Sequence, residues 1–382
     1  MLNSKKRIVL FGGSFDPITF AHLSVISHLS ENFDRVILLP CFISPFKQDA
    51  NIISSKTRIK LLREVIKGYT NVSISLFETK KKKTSFSYLS ILHFKKKYKN
   101  LYFCIGSDGL DSLDRWAMRD IITKNAIFYV VERPFFPIKE EDVINAKALG
   151  FNIELANFMG KEGSSSLVRL AVAFSKLNNI SPIPVEKYIL ENGLYTDYKY
   201  ITDRYDEFHI KESRREHIYR TAKTGIILAK KNNVDVDRVI KALLFHDIGK
   251  YVSPQELLDK NIEVNDEYKQ MPECIQHGCT SESIARHYFN EKDEEILCAV
   301  RNHSSGRADM SMLEKIVFLS DYIEEGRDFE GLDRIRKIVY QDIDKGMVAV
   351  LENTIKFLKN NNMDIYYKTI QAYDFYKEKV WL

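Results

Sequence analysis

The sequence lacks several features that would define a protein class. No run of about 18 apolar residues occurs, so no segment predicts a transmembrane helix. The apolar stretch after Lys5–Arg7 stops at Gly12, too early for a signal peptide. The five cysteines are scattered, odd in number and without a Cys-x-x-Cys pair, which argues against a disulfide framework. A net charge of +5 is too small for a nucleic-acid footprint. We therefore expect a cytoplasmic protein that binds neither membrane nor nucleic acid.

The length of 382 residues predicts two or more domains. Up to about Tyr195, short apolar runs alternate with amphipathic stretches, which predicts a parallel sheet with helices on both faces. The predicted strands are 7–10, 36–39, 72–76, 101–105 and 126–131, and the predicted helices between them are 56–67 and 88–98.

Strand signals vanish from Asp206 onward. Amphipathic stretches cover residues 206–232, 235–246, 280–290, 291–303, 310–325 and 341–360, which predicts an all-α domain. The predicted boundaries are 1–196 for the α/β domain, 197–203 for a linker and 204–382 for the helical domain.

A glycine-rich turn links the first predicted strand to a helix. Gly12 and Gly13 let the backbone turn tightly and approach a ligand, and a helix N-terminus there favours phosphate. Thr19 and His22 are spaced to share one face of the first helical turn. The pattern indicates phosphate-transfer chemistry, and the alternative is a plain βα turn with a solvated histidine.

Polar residues follow the later strands, at the edge where parallel sheets bind ligands. Lys47 is placed either to reach a triphosphate or to lie on the surface. Trp116 is placed either to stack on a flat ring of a ligand or to belong to the core. Serines at a helix start can hold phosphate or merely cap the helix. These candidates are Lys47, Gly106, Asp108, Trp116, the serines 164–166 and Arg169.

Residues 11–22, Phe-Gly-Gly-Ser-Phe-Asp-Pro-Ile-Thr-Phe-Ala-His, resemble the nucleotidyltransferase signature, with Ala21 where that family has glycine. With Pro45–Lys47, Gly106–Asp108, Trp116 and the ending Ile183–Tyr195, residues 5–196 resemble bacterial nicotinate-nucleotide adenylyltransferases of Rossmann-like fold. Ser85–Ser87 and Ser90 match that family's pyridine segment loosely. The alternative family is phosphopantetheine adenylyltransferase.

The resemblance implies in-line attack of nicotinate mononucleotide on the α-phosphorus of ATP, with Mg²⁺ bridging phosphates. Thr19 and His22 would bind the reacting phosphates and Lys47 the leaving side. The implied substrate and ATP contacts are Gly12, Gly13, Ser14, Phe15, Ser87, Gly106, Asp108, Trp116, Arg133, Ser165, Ser166 and Arg169.

Four histidines and two aspartates in the second half lie on or beside apolar helices, each on a separate element apart from one His-Asp pair. They are His217, His246, Asp247, His277, His303 and Asp321. A single histidine on an apolar helix face is usually a core residue with its hydrogen bonds satisfied. Four histidines with two aspartates are hard to explain in that way. Nitrogen and carboxylate ligands without cysteine suit iron, manganese or zinc in a hydrolytic site.

The pattern resembles the HD-domain phosphohydrolases. Phe245–Lys250 and Phe318–Arg327 resemble the bacterial subgroup that hydrolyses diadenosine tetraphosphate symmetrically to two ADP, and Arg301–Gly306 matches it loosely. The resemblance implies that all six residues bind two metals, iron by family, with Asp247 bridging them and a bridging hydroxide as the nucleophile. Lys250 and Arg327 would contact phosphate.

The sequence leaves alternatives for the helical half. The alternatives are cleavage of a guanosine alarmone or a cyclic nucleotide, or binding of a nucleotide without cleavage, as a regulator. The oligomeric state also stays open, with a homo-oligomer compatible with the sequence.

Overall fold

The computed structural model describes residues 6–43 and 52–381. The chain divides into two compact units: residues up to 168 together with 177–194, and residues 169–176 together with 195 onward. The predicted linker, 197–203, contains a short helix, Lys199–Thr202, and belongs to the second unit.

The first unit is built on a six-stranded sheet in the order β3-β2-β1-β4-β5-β6, in which every neighbouring pair is parallel. The predicted parallel α/β fold is confirmed. Edge strand β6 was not predicted, because its residues alternate between half-buried and exposed and form no apolar run. The strands are β1 (Ile8–Gly13), β2 (Arg35–Pro40), β3 (Val72–Ile74), β4 (Leu101–Gly106), β5 (Ile127–Glu132) and β6 (Asn152–Met159).

Strand β1 lies between β2 and β4, so the connections run outward from it in opposite directions. Ligands bind at such a switch point, beyond the carboxyl ends of the strands. The helices of this part of the chain are α1 (Phe20–Asn32), α2 (Ser55–Val65), α3 (Phe77–Lys80), α4 (Ser87–Lys95), α5 (Arg119–Asn125), α6 (Glu140–Ala148), α7 (Ser165–Ala173) and α8 (Ile183–Glu191).

The second unit is helical over its described residues, as predicted. Its longest helix, α10, buries one face that includes His217, Ile218 and Ala222. The helices are α9 (Lys199–Thr202), α10 (Glu212–Lys231), α11 (Val236–Phe245), α12 (Pro254–Asp259), α13 (His277–Phe289), α14 (Glu294–Asn302), α15 (Met312–Ile323), α16 (Leu332–Gln341), α17 (Ile343–Asn360) and α18 (Tyr367–Trp381). Among the helices of the described chain, none has the length and apolar character needed to cross a membrane.

Candidate active sites

A cavity of about 440 Å³ lies at the carboxyl edge of the sheet. This volume falls in the range of small-molecule sites. Eight of the residues predicted to contact substrate or phosphate line it: Gly12, Gly13, Ser14, His22, Ser87, Gly106, Trp116 and Arg133. The tertiary structure thus brings the ends of β1, β4 and β5 together around one space.

Thr19 and His22 form a reciprocal cap at the start of α1. The Thr19 hydroxyl accepts from the His22 backbone N–H at 3.4 Å, and the Thr19 backbone N–H donates to His22 Nδ1 at 3.1 Å. This is a capping box in which histidine stands at the N3 position, where glutamate or glutamine is usual. Because Nδ1 accepts a hydrogen bond, the ring proton lies on Nε2, and His22 can donate to an anion in the cavity.

The alanine at position 21, where the resembled family has glycine, is accommodated by a glycine elsewhere. Gly163 has φ +146°, and a Cβ built on it would lie 3.3 Å from Ala21 Cβ. The absence of a side chain at Gly163 therefore leaves room for the Ala21 methyl group.

Asp108 and Arg133 form an ion pair over the end of β4. Arg133 Nη1 donates to Asp108 Oδ2 at 2.8 Å, and Nη2 donates to the Gly163 carbonyl at 3.2 Å. A Cβ on Gly106 would lie 2.3 Å from Asp108 Oδ1, so any side chain at this position would force the pair to shift. The pair fixes a guanidinium on the wall of the cavity.

Trp116 packs against core residues and also borders the cavity. Its ring packs edge-on against Phe103 and Phe128, with centroids 5.8 and 5.5 Å away, and it also lines the cavity. Its indole N–H is buried and has no hydrogen-bond partner among the described residues. Such a donor is unfavourable unless a ligand satisfies it.

Several predicted contacts are not among the residues lining the cavity. Phe15 is 1% exposed and packs against the His22 ring, so it supports the histidine. Arg169 Nη1 pairs with Asp197 at 3.3 Å. Ser165 donates to the Pro17 carbonyl, and Ser166 lies in the first turn of α7. Lys47 lies outside the described residues.

The cavity also contains residues that the sequence did not reveal. Lys161 follows β6, the strand that carried no recognisable signal. Glu78 is 8% exposed, accepts from the Ser90 hydroxyl at 2.6 Å and lines the cavity. Burial raises the pKa of the Glu78 carboxyl, although the hydroxyls of Ser90 and Ser85 oppose the shift.

The second site is a cluster of histidines around Asp247 at the end of α11. Asp247 Oδ2 lies 3.7 Å from His217 Nε2 and 3.4 Å from His246 Nε2. Asp247 Oδ1 lies 3.2 Å from His277 Nε2 and 3.6 Å from His303 Nε2. Each carboxylate oxygen thus faces its own pair of imidazoles, an arrangement suited to two cations bridged by one carboxylate.

All four histidines are anchored through the other ring nitrogen. The Nδ1 atoms of His246, His277 and His303 donate to backbone carbonyls at 2.6, 3.0 and 2.7 Å. His217 Nδ1 lies 3.3 Å from Glu324 Oε1. These bonds leave the Nε2 lone pairs directed at the centre, as metal ligands require.

Asp321 completes the group on the Oδ2 side. Its Oδ1 lies 2.9 Å from His217 Nε2. Its carboxyl pKa is held below its ordinary value: burial opposes the shift, but the hydrogen bond from His217 and nearby cations outweigh burial. Asp247 also has a strongly lowered pKa, because its histidine neighbours outweigh desolvation. Both aspartates are therefore anionic at neutral pH.

Burial favours the neutral form of two of the histidines. Burial lowers the pKa of His277 to about 4 and also lowers the pKa of His246. For His217, burial lowers the pKa, but the hydrogen bonds to Asp321 and Glu324 raise it overall. His217 Nε2 lies 2.9 Å from Asp321 Oδ1, and His246 Nε2 lies 3.4 Å from Asp247 Oδ2. The lone pairs of neutral imidazoles would therefore face carboxylate oxygens, a repulsion that a bound cation would relieve. The cluster therefore fits divalent metal.

Three cations border this cluster. Arg327 Nη2 donates to Asp321 Oδ1 at 3.0 Å, and Lys250 Nζ lies 3.3 Å from both ring nitrogens of His277. Arg214 Nη1 donates to Asp247 Oδ2 at 2.8 Å. Lys250 and Arg327 were predicted as phosphate contacts, whereas Arg214 and Glu324 were missed. The one available signal was that Arg214 precedes His217 by one turn of α10.

Comparison with known proteins covers both units. The cytidylyltransferase-like family matches residues 10–170, and the HD domain family matches residues 214–326. The chain is 28% identical to a Mycoplasma genitalium protein named "Probable nicotinate-nucleotide adenylyltransferase/Ap4A hydrolase", over 93% of this chain and 99% of that one.

Two further relatives each match one half. A Staphylococcus epidermidis protein named "Probable nicotinate-nucleotide adenylyltransferase" is 34% identical over 50% of this chain and 98% of its own. A Halalkalibacterium halodurans protein named "Bis(5'-nucleosyl)-tetraphosphatase, symmetrical" is 34% identical over 44% of this chain and 90% of its own.

Proposed function

Because the chain belongs in its first half to the nicotinate-nucleotide adenylyltransferase family and in its second half to the symmetrical bis(5'-nucleosyl)-tetraphosphatase family, we propose that it carries both activities. The first unit transfers the adenylyl group of ATP to nicotinate mononucleotide, giving deamido-NAD and pyrophosphate. The second unit hydrolyses diadenosine tetraphosphate to two ADP. We place the enzyme in the cytoplasm, where nucleotides are available and scattered cysteines stay reduced.

The proposal for the first unit depends on one cavity that holds both a phosphate site and an aromatic wall. Gly12 and Gly13 let phosphate approach the backbone at the start of α1, and Trp116 offers a flat face and an unsatisfied N–H. A pyridine mononucleotide and ATP combine phosphates with flat rings, which is the chemistry that these walls complement.

Adenylyl transfer needs no protein nucleophile. A phosphate oxygen of the mononucleotide bonds to the α-phosphorus of ATP while the bond to the β-phosphate bridging oxygen breaks, and pyrophosphate leaves. His22, held by Thr19, donates from Nε2 to the charge that develops on the phosphates, and Arg133 adds a fixed cation. Mg²⁺ would neutralise the phosphates of ATP, and Lys47, Ser165, Ser166 and Arg169 stay proposed ATP contacts.

The proposal for the second unit depends on Asp247, whose two oxygens each face two histidines. His217, His246, Asp321 and Asp247 would hold one ion, and His277, His303 and Asp247 the other. When bound, divalent ions would supply Lewis acidity to the phosphates and would lower the pKa of a water molecule enough to make it a nucleophile at neutral pH. Glu324 fixes the orientation of His217, and Lys250 and Arg327 bind phosphate oxygens.

We propose iron for this centre, on its resemblance to the symmetrical hydrolases. The ligand set contains nitrogen and carboxylate donors and no thiolate, which iron accepts, as do manganese and zinc. Metal analysis of the full chain purified without chelators tests this, with about two ions per chain as the expected stoichiometry. A folded chain that holds no metal after reconstitution would contradict the proposed site.

Two single variants of the full chain, each expected to remove one activity and keep the other, test the two activities. His22→Ala should reduce adenylyl transfer by about 100-fold or more and leave tetraphosphate hydrolysis unchanged, since an oriented donor is lost. Asp247→Ala should have the opposite effect. His28→Ala, on the same helix as His22, is the matched control, because His28 instead stacks on Phe158.

The substrate panel decides specificity. Nicotinate mononucleotide, nicotinamide mononucleotide and phosphopantetheine are compared with ATP as the donor, and diadenosine tetraphosphate is compared with a guanosine alarmone and a cyclic nucleotide. Preference for phosphopantetheine would overturn the first assignment. Preference for the alarmone or the cyclic nucleotide would overturn the second.

A further inference from the structure

Arg214 contacts Asp247 Oδ2, the oxygen at which one metal would bind. It lies on α10 one turn before His217, and its Nη1 donates to Asp247 Oδ2 at 2.8 Å. The Asp247 side chain is 3% exposed and the Arg214 side chain 26% exposed, so a largely buried charge pair forms beside the histidines.

The same oxygen also faces His217 Nε2 and His246 Nε2. A cation bound by these two imidazoles draws on the Oδ2 lone pairs and repels the guanidinium next to it. The guanidinium keeps its charge, and its other hydrogen-bond partner, Tyr251, is a neutral group. Beside a bound cation, a phosphate oxygen would be its added anionic acceptor.

The other cations lie on different sides of Asp247. Lys250 Nζ is next to His277, which faces Oδ1, and Arg327 pairs with Asp321. Positive groups therefore border both halves of the centre. A substrate with phosphates on both sides of the cleaved bond can engage them all, whereas a monoester has phosphate on one side only.

We propose that Arg214, which pairs with Asp247 beside the metal ligands, also binds a substrate phosphate oxygen when the metals are in place. Its planar fork can form two parallel hydrogen bonds to phosphate. The choice of a polyphosphate substrate rests on the proposed function, but phosphate binding by Arg214 does not.

Inorganic phosphate is the probe, because its binding does not depend on any nucleotide preference. The dissociation constant of phosphate is measured by calorimetry on the metal-loaded full chain, together with metal content and the kinetics of tetraphosphate hydrolysis. Arg214→Met should raise the phosphate dissociation constant by about 10-fold or more while two metals are retained, since a charged hydrogen-bond donor is lost. Arg214→Lys should have an intermediate effect.

Arg215→Met is the matched control. Arg215 is the next residue of α10, but its Nε donates to the Ile210 carbonyl and its Nη2 to Asp206, so phosphate affinity should not change. Unchanged phosphate affinity in a metal-loaded Arg214→Met chain overturns the proposal. So does loss of metal in both Arg214 variants, since Arg214 would then maintain the ligand set. A wild-type chain inactive on diadenosine tetraphosphate overturns the proposed function only.

Discussion

Each histidine of the metal cluster is fixed by a hydrogen bond from Nδ1, and His217 differs from the others in its acceptor. His246, His277 and His303 use carbonyls of their own helical turn or of the preceding turn, whereas His217 uses the Glu324 carboxylate. Glu324 also accepts from Arg220 Nε at 2.7 Å. A carboxylate in this position raises the basicity of a ligand histidine as well as orienting it.

Replacing Glu324 with glutamine tests this role. Glu324→Gln keeps the shape but removes the charge behind His217, so we expect metal affinity or hydrolysis to fall by about 10- to 100-fold. Metal titration and tetraphosphate hydrolysis measure it. Glu325→Gln is the control, since Glu325 is exposed and pairs with Lys223. If both variants reduced metal affinity or hydrolysis equally, the cause would be the change in net charge and not the contact with His217.

Ionisation of the buried Glu78 carboxyl lowers the stability of the first unit in a pH-dependent way. Burial raises its pKa in the folded state from an ordinary value near 4.5, so the native chain binds the proton more tightly than the unfolded chain. The resulting contribution to stability is present below pH 4.5 and is lost as the pH rises through the folded-state pKa.

Glu78→Gln removes this loss, because the amide cannot ionise. Its carbonyl oxygen can still accept from Ser90. The variant should therefore gain stability relative to wild type as the pH rises from about 4 to 7. Denaturant unfolding followed by Trp116 fluorescence, in a Trp381→Phe background, measures this difference. Glu64→Gln, on the exposed face of α2, is the control. A difference independent of pH would contradict the role of ionisation.

At the scale of elements, Arg58 on α2 joins the loops at the ends of β1 and β2. It is 1% exposed, and its guanidinium donates to the carbonyls of Ser14 at 2.6 Å and Cys41 at 2.8 Å. It also donates to the carbonyls of Phe42 and Ile53. Ser14 and Cys41 line the cavity, so one buried side chain on a helix shapes the floor of the nucleotide site.

Arg58→Met should destabilise the first unit by about 3 kcal/mol or more, because several carbonyls lose their donor and each loss costs about 1–3 kcal/mol. The Michaelis constant for ATP should rise in any fraction that folds. Arg58→Lys, which keeps the charge with fewer donors, should be intermediate. Arg63→Met, on the exposed face of α2, is the control for the helix itself. Unfolding and steady-state kinetics decide the outcome.

At the scale of the whole molecule, two nucleotide chemistries share one chain. Adenylyl transfer to ATP itself would yield diadenosine tetraphosphate, the proposed substrate of the second unit. This connection is a hypothesis, and assaying whether the first site makes that dinucleotide tests it. The proposed metal ligands all lie on α10, α11, α13, α14 and α15 or directly next to them, within the second unit.

Metal removal should therefore weaken the second unit selectively. Without cations, Asp247 remains buried among imidazoles whose lone pairs face one another, and ligand binding no longer stabilises the native state. Hydrogen exchange of the full chain, with and without metal, should show lost protection in α10, α11 and α15. Peptides of β1 and β4 are the internal reference, and equal loss there would contradict the prediction.

The sequence by itself determined the parts of the two sites that are contiguous or compositional. The turn from Gly12 to His22 is one strand-to-helix junction, so its geometry is local. The proposed metal ligands stand out because histidine and aspartate are unusual on apolar helices. The parallel α/β fold and the helical second half follow from hydrophobic periodicity, which is also a local property.

Only the tertiary structure decided which groups face one another across distant segments. Glu324, Arg58 and Arg214 resembled ordinary charged residues at helix ends or on helix faces until packing placed them against His217, the β1 and β2 loops and Asp247. Strand β6 could not be predicted from hydrophobic periodicity, because an edge strand needs no apolar run. Periodicity records which face of an element is buried, but the partner on that face is set by the packing of the whole unit.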